Sequence, residues 1–359
     1  MIIELAGKII NFISNIVIRM VKTVLNMPKA FKIASKYSFF PEYERKSYLK
    51  RLVENIIHDI KYAEANQYYN VYGLDVEGRK EEEYLDYYSF RKKRDHCNKL
   101  KTVESQTILL RDKLLFYKYM ISNNLPVADV LCIMKNGRLL DTTLNEIDIE
   151  YLKDKKDFFV KDIAGECASF VKKISNYSKY QEIESDLQEI RGGVLYQRAL
   201  VQCEKLNQLN PNAINTLRVV TVLNDGKAKV LGAILRVGTS KTGNVDNWAA
   251  GGLAVGINDD GYLKKFGFYK PSFGLKVDRH PDTGIIFQQF QVPMYKDVLE
   301  LACRAHETFY GIHSIGWDIA LTVDGPVFIE GNDNWELGFI QVCHGGIRKE
   351  WEELSKNYT

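Results

Sequence analysis

The chain has 359 residues, 45% of them hydrophobic, 12% aromatic and 26% charged, enough material for two or three packed units. Lysine and arginine number 49 against 46 acids, and a net charge of +3 with no basic patch interleaved with aromatics argues against a nucleic-acid partner. Cys97, Cys132, Cys167, Cys203, Cys303 and Cys343 are scattered, with no CxxC and no histidine at zinc-finger spacing, the pattern of reduced thiols in a cytoplasmic protein.

Ile3, Ile10, Ile13, Ile16, Val17, Met20 and Val24 recur at three- and four-residue spacings, which predicts an amphipathic helix over residues 2–27. Glu4, Lys8, Asn11, Asn15, Arg19 and Lys22 break the apolar run well below the length of a membrane span. No small-residue cleavage site follows, so a secretory signal is not expected. Two readings of this helix stay open: it docks on the rest of the protein or on a second copy, or it lies on the inner face of a membrane with Lys8, Arg19, Lys22 and Lys29 toward headgroups. Helical patterning continues over 42–69, 80–91 and 111–123, stopping at Asn124-Leu125-Pro126. Residues 1–100 are therefore expected to form a largely helical N-terminal region.

After Pro126 short β-rich runs take over, at 127–134, 158–161, 169–174, 194–200, 217–223, 230–237 and 253–257, several ending in turn signals such as Asn224-Asp225-Gly226. A helix over 293–310 follows, then strands at 314–322 and 326–330 joined by Asp324-Gly325. Strands with interspersed helices predict an α+β body with largely antiparallel sheets, divided here into units at 101–190 and 191–359.

The last two strands carry the strongest local signal. Antiparallel pairing brings Asp318, early in one strand, opposite Glu330, at the end of the next. Glu330 and Asn332 are two apart, so on an extended backbone both point to one face. Two carboxylates and an amide oxygen converge, a hard-oxygen set suited to Mg²⁺. The apolar neighbours Ile315, Trp317, Ile319 and Phe328 make uncompensated carboxylates costly, and a cation is their natural partner.

This hairpin resembles the end of the ATP-grasp nucleotide domain, where an Asp on one strand and Glu-x-Asn ending the next hold magnesium on ATP phosphates. The resemblance runs upstream in order. Arg111-Asp112-Lys113, opening a helix that ends at Asn124-Leu125-Pro126, resembles the family's entry motif, and Lys113 would contact nucleotide phosphate. Lys161 in Phe158-Phe159-Val160-Lys161 would reach the phosphates, with a loop from Gly165 to Ser169 over them. The run from Leu195 through Gln197 and Arg198 to Leu200 is similar to the hinge strand beside adenine. Segments around Asn215 and Arg218, Arg236, Asp246-Asn247, Gly251-Gly252 and His280 look like the sugar-transfer-associated branch of that family. The resemblance implies two α+β subdomains sandwiching ATP.

One departure stands out. D-alanine–D-alanine ligase has an arginine two residues before the first metal Asp, where this chain has Gly316. Arg218 or Arg236 would then supply the catalytic cation, beside Lys161. The acceptor pocket is expected along Asp246, Asn247, Gly251, Gly252, His280 and Trp335. The family implies ATP, Mg²⁺ and phosphoryl transfer to a small-molecule or glycan carboxylate, which an amine then attacks, in a surface-polysaccharide or related sugar pathway. A kinase acting on a hydroxyl and a non-catalytic nucleotide-binding scaffold are the alternatives.

Overall fold

The computed structural model describes residues 2–100, 104–164, 170–182, 187, 190, 192–243, 245–270 and 274–356. The first half begins with helices α1 (Ile2–Ser35), α2 (Tyr48–Tyr62), α3 (Tyr87–Leu100), α4 (Glu104–Arg111) and α5 (Lys113–Ser122). Helix α2 is shorter than the 42–69 expected, because Ala63 turns left-handed (φ 55°) and its N–H closes on Asp59 O. Turns follow it to Gly78. Asp112 interrupts the expected 111–123 helix as the N-cap of α5, accepting from the amides of Leu114 and Leu115 at 2.9 Å.

A five-stranded antiparallel sheet comes next, in the order β2-β1-β5-β3-β4. Its strands are β1 (Val130–Lys135), β2 (Arg138–Leu140), β3 (Phe158–Asp162), β4 (Val171–Ile174) and β5 (Val194–Arg198), with the short helix α6 (Tyr177–Gln181) after β4. Helix α7 (Glu204–Asn207) leads to β6 (Thr216–Asn224), β7 (Lys227–Val237), β8 (Leu253–Ile257), β9 (Leu263–Tyr269) and β10 (Lys276–Val277). After α8 (Tyr295–Thr308), strands β11 (Ser314–Thr322) and β12 (Gly325–Asn332) complete a seven-stranded antiparallel sheet, ordered β10-β9-β8-β7-β6-β11-β12. Helices α9 (Leu337–His344) and α10 (Arg348–Leu354) close the chain.

The large sheet is covered on both faces, which is why β6 and β11 are buried along nearly their whole length rather than on alternate residues. Leu217, Val219, Ile315 and Trp317 pack with Val298, Ala302 and Ala305 of α8. Val220, Val222 and Ile234 pack on the opposite side with Leu337 and Ile340 of α9 and Trp351 of α10. The N-terminal region joins this second core: Phe90 meets Trp335 and Trp351 with ring centroids 4.7 and 5.2 Å apart. Tyr68, Tyr72 and Leu74 are buried in the same cluster. Among the described residues no helix is long and apolar enough to cross a membrane.

Candidate active site

The two sheets and α5 line a cleft of about 510 Å³, within the usual range for a small-molecule site. Leu110, Phe116, Phe159, Phe170, Leu200 and Ile329 give it apolar walls. Lys113, Lys161, Arg218, Arg236 and Lys270 bring cations to it, and Asp246, Asp318, Glu330, Asp333 and Glu336 bring carboxylates.

The register of β11 and β12 sets Asp318 opposite Glu330 and Gly316 opposite Asn332, with a bulge just after Asp318. On the other side of β11, Asp318 pairs with Arg218 of β6. Arg218 grips Asp318 with two bonds, Nε to Oδ1 at 2.5 Å and Nη2 to Oδ2 at 2.9 Å. Arg236 of β7 adds a third, Nη1 to Oδ2 at 2.8 Å, and its other nitrogen pairs with Asp246. Asp246 is fixed in turn by the backbone N–H of Thr216, 3.0 Å away, and by the Thr216 hydroxyl. A chain of charge thus runs from Thr216 through Asp246 and Arg236 to Asp318 and Arg218. Burial opposes the Asp318 charge, but the two arginines outweigh it and hold the carboxyl well below its ordinary range. Glu330 is pushed the other way, by burial and by the Asp318 charge. The Arg236 Nε is buried with no hydrogen-bond partner among the described residues, an unmet donor beside the carboxylates.

Gly316 now has a physical reason. A Cβ there would lie 2.6 Å from the Trp335 Cβ and 3.4 Å from the Arg218 Cδ. An arginine cannot grow from this position without displacing Trp335, and Arg218, entering from the neighbouring strand, occupies the space beside it.

Lys161, on β3, donates from Nζ to Gln197 Oε1 of β5 at 2.6 Å. Burial lowers its ammonium from the ordinary 10.5 to about 8, with Lys113 pushing the same way while Glu330 and Asp318 pull it back up. Lys113 opens α5, and its backbone N–H donates to Ile163 O at 3.0 Å, tying the helix start to the end of β3. Arg111, just before it, forks onto Asp333 at 3.0 and 2.6 Å and so ties α4 to the residue after Asn332. On the hinge strand, the amides of Arg198 and Ala199 donate to Asp129 O and Asp157 O within the protein, while the side chains of Gln197, Arg198 and Leu200 line the cleft.

The cleft therefore gathers Lys113, Lys161, Gln197, Arg198, Leu200, Arg218, Arg236, Asp246, Asn247, Asp318, Glu330 and Asn332. Other expected residues stand elsewhere, and each for a visible reason. Asn215 is fully buried, its amide donating to Gln202 Oε1 and Asn210 O at 3.0 Å and accepting from the Gly238 N–H at 3.2 Å, so it braces a loop instead of reaching nucleotide. His280 is also buried; its Nδ1 accepts from the amides of Asp282 and Thr283, leaving Nε2 to donate to Gly238 O at 2.9 Å. Trp335 buries its ring and donates to Ser314 Oγ at 3.0 Å. Gly251 (φ 101°) ends a short 3-10 turn that Asn247 caps, and a Cβ on Gly252 would meet Asp246 O at 2.7 Å. These glycines shape the loop bearing Asp246 and do not line the cleft. Gly165 and Ser169 lie outside the described residues.

Residues that motif reading passed over also line the cleft. Lys270 and Thr216 are two. Glu336, in the segment after Asn332 where the acceptor pocket was expected, also lines it, accepting from the Tyr68 hydroxyl at 3.3 Å, from the Tyr87 hydroxyl and from the Gly338 N–H at 2.9 Å. The run Asn332-Asp333-Asn334 beside a metal motif was the available signal for Asp333; nothing in sequence links Tyr68 or Tyr87 to Glu336 some 250 residues later.

A fit to magnesium follows from the donor set. Two cross-strand carboxylates and an amide oxygen are hard ligands; both Asp318 oxygens already accept from Arg218 and Arg236, so an ion here would share that carboxylate with the two arginines. Among the described residues no group of three or more His, Cys, Asp or Glu comes together as a metal cage.

The family described as sugar-transfer associated ATP-grasp matches residues 93–356, and the chain belongs to it; the fold is ATP-grasp. Solved structures resembling it include the biotin carboxylase domain of 2-oxoglutarate carboxylase from Hydrogenobacter thermophilus, in complex with MgADP, ADP and bicarbonate. That likeness has 13% identity over 64% of this chain and 40% of the other, with a TM-score of 0.39. A RimK domain ATP-grasp protein from Sphaerobacter thermophilus shows 11% identity over 72% and 69%, TM-score 0.39. D-alanine–D-alanine ligase from Helicobacter pylori shows 10% over 71% and 60%, TM-score 0.42. No curated protein matches the chain.

Proposed function

We propose that the protein is an ATP-dependent ligase that joins a carboxylate to an amine through an acyl phosphate, with a sugar acid or glycan carboxylate as the acceptor. The observation that carries this reading is the state of the carboxylates in the cleft. Asp318, Asp246 and Asp333 are each ion-paired with arginine, and Glu336 is held by two tyrosines and an amide. Glu330 belongs to the magnesium set. A hydroxyl acceptor would need a base to take its proton. A carboxylate arrives ionised and needs none.

In this scheme a carboxylate oxygen attacks the γ-phosphorus, the bond to ADP breaks, and the amine then attacks the acyl carbon, releasing phosphate and a proton. Lys161 and Lys113 would draw the triphosphate in, and Arg218 and Arg236, held rigid by Asp318 and Asp246, would meet charge developing on the transferred group. Asp318, Glu330 and Asn332 would hold Mg²⁺, which supplies positive charge across the phosphate oxygens. Gln197 would orient Lys161, and Leu200 would lie against the base. Dependence on ATP and reduced thiols agree with a cytoplasmic setting, and the family description motivates the sugar pathway.

Hydroxylamine tests the reading, since it intercepts an acyl phosphate as a stable hydroxamate. With ATP, magnesium and a panel of uronic acids, a hydroxamate should form with stoichiometric ADP. A stable phosphoester and no hydroxamate would assign a kinase instead, and absence of any acceptor-stimulated ADP release would leave a nucleotide-binding scaffold.

A further inference from the structure

We infer that the α1–α2 hairpin is a docking face for an anionic phospholipid bilayer, an inference independent of the ligase reading. The two helices run antiparallel: Thr23 Oγ1 donates to Asp59 O at 3.3 Å near one end, and Arg51 Nε to Ala34 O at 3.1 Å near the other. Ala30, Ala34 and Leu52 form their buried seam. The face of α1 turned away from that seam is apolar and open, with Val17, Val21, Val24 and Leu25 between 52% and 68% exposed and Phe31 at 45%. On α2, Leu49, Val53, Ile57 and Ile60 repeat at spacings of four, four and three and are 45–68% exposed. Lys22 and Lys29 are exposed and seven residues apart, which keeps them along one edge of the apolar face of α1, and the exposed Lys36 follows just past its end.

Charge selects the occupant. No acid falls between Glu4 and Glu42, while Lys8, Arg19, Lys22, Lys29, Lys32 and Lys36 do. On α2, Glu54 is paired with Lys46 and Asp59 is buried. A second copy laid face to face would bring lysines against lysines, with no acid on α1 beyond Glu4 and neither acid of α2 both exposed and unpaired to answer them. An anionic headgroup layer answers them directly. An apolar face flanked by lysine, on a helix not apolar enough to span, is the design of a helix lying in the membrane interface.

Cosedimentation of the full chain with phosphatidylcholine vesicles, with and without phosphatidylserine, tests this. The chain should pellet with the anionic vesicles and less so as salt rises. Lys22→Gln and Lys29→Gln should each lower anionic partitioning roughly fivefold. Val24→Glu with Leu25→Glu, both exposed, should lower it about tenfold or more. A parent chain that stays in the supernatant with anionic vesicles overturns the inference. So does a Val24→Glu/Leu25→Glu variant that still pellets like the parent while its mass in sedimentation equilibrium drops from dimer to monomer, since the face would then belong to a second copy.

Discussion

The carboxylate of Asp318 is shared by two guanidinium groups, so its removal takes the paired anion from Arg218 and leaves Arg236 with Asp246 alone. Asp318→Ala should therefore cost about 3 kcal/mol in urea unfolding, as breaking a buried ion pair does, as well as abolishing turnover; an unchanged unfolding midpoint would show that the arginines do not depend on it. Lys161 carries a prediction in pH. Burial pulls its ammonium down to about 8, so it is charged at lower pH and loses its proton as pH rises through 8. A bound triphosphate favours the charged form, so ATP affinity should weaken above pH 8, toward tenfold per pH unit. Titration calorimetry across that range should show the limb in the parent and lose it in Lys161→Arg. At Gly316, substitution by alanine should cost about 1–3 kcal/mol through the contact with Trp335, read by the same unfolding curve.

At the scale of elements, the β11–β12 hairpin was legible because apolar residues flank its two acids, and register follows once the Asp324-Gly325 turn is placed. Most strands of both sheets were legible for the same reason, by β-branched runs bounded by turns, but β2, β9 and β10 were not. What escaped was structure whose pattern contradicts its position. Strand β9 contains Lys264, Lys265 and Gly267, and helix α9 is apolar all round because nearly all of it is buried, so neither shows a clean period. Gly338, an apparent helix breaker in α9, is required because a Cβ would meet the Tyr68 ring at 2.7 Å. His280 and Asn215 were misplaced by motif reading for a related cause: polar residues near a cleft serve equally well as buried loop braces, and only coordinates separate the two. Capping at α5 offers a test at this scale. Asp112→Ala should cost about 1 kcal/mol and weaken nucleotide binding through Lys113; binding unchanged at reduced stability would detach Lys113 from the site.

Across the whole molecule, the N-terminal region is joined to the ATP-grasp body by a common core. Phe90 wedges between Trp335 and Trp351, and the Tyr68 and Tyr87 hydroxyls bind Glu336 at the rim of the cleft. Phe90→Ala should cost about 3–5 kcal/mol and unfold both parts in one transition, whereas two separate calorimetric transitions would indicate independent units. The Asp318–Glu330–Asn332 hairpin and the cations facing it are proposed to form one nucleotide site. A crystal structure with magnesium and a non-hydrolysable ATP analogue tests it most directly. The triphosphate should lie within reach of Lys161 and one of the two arginines, with metal between it and the carboxylates. Phosphates more than about 6 Å from Asp318 and Glu330, too far for direct or water-bridged magnesium, would contradict it.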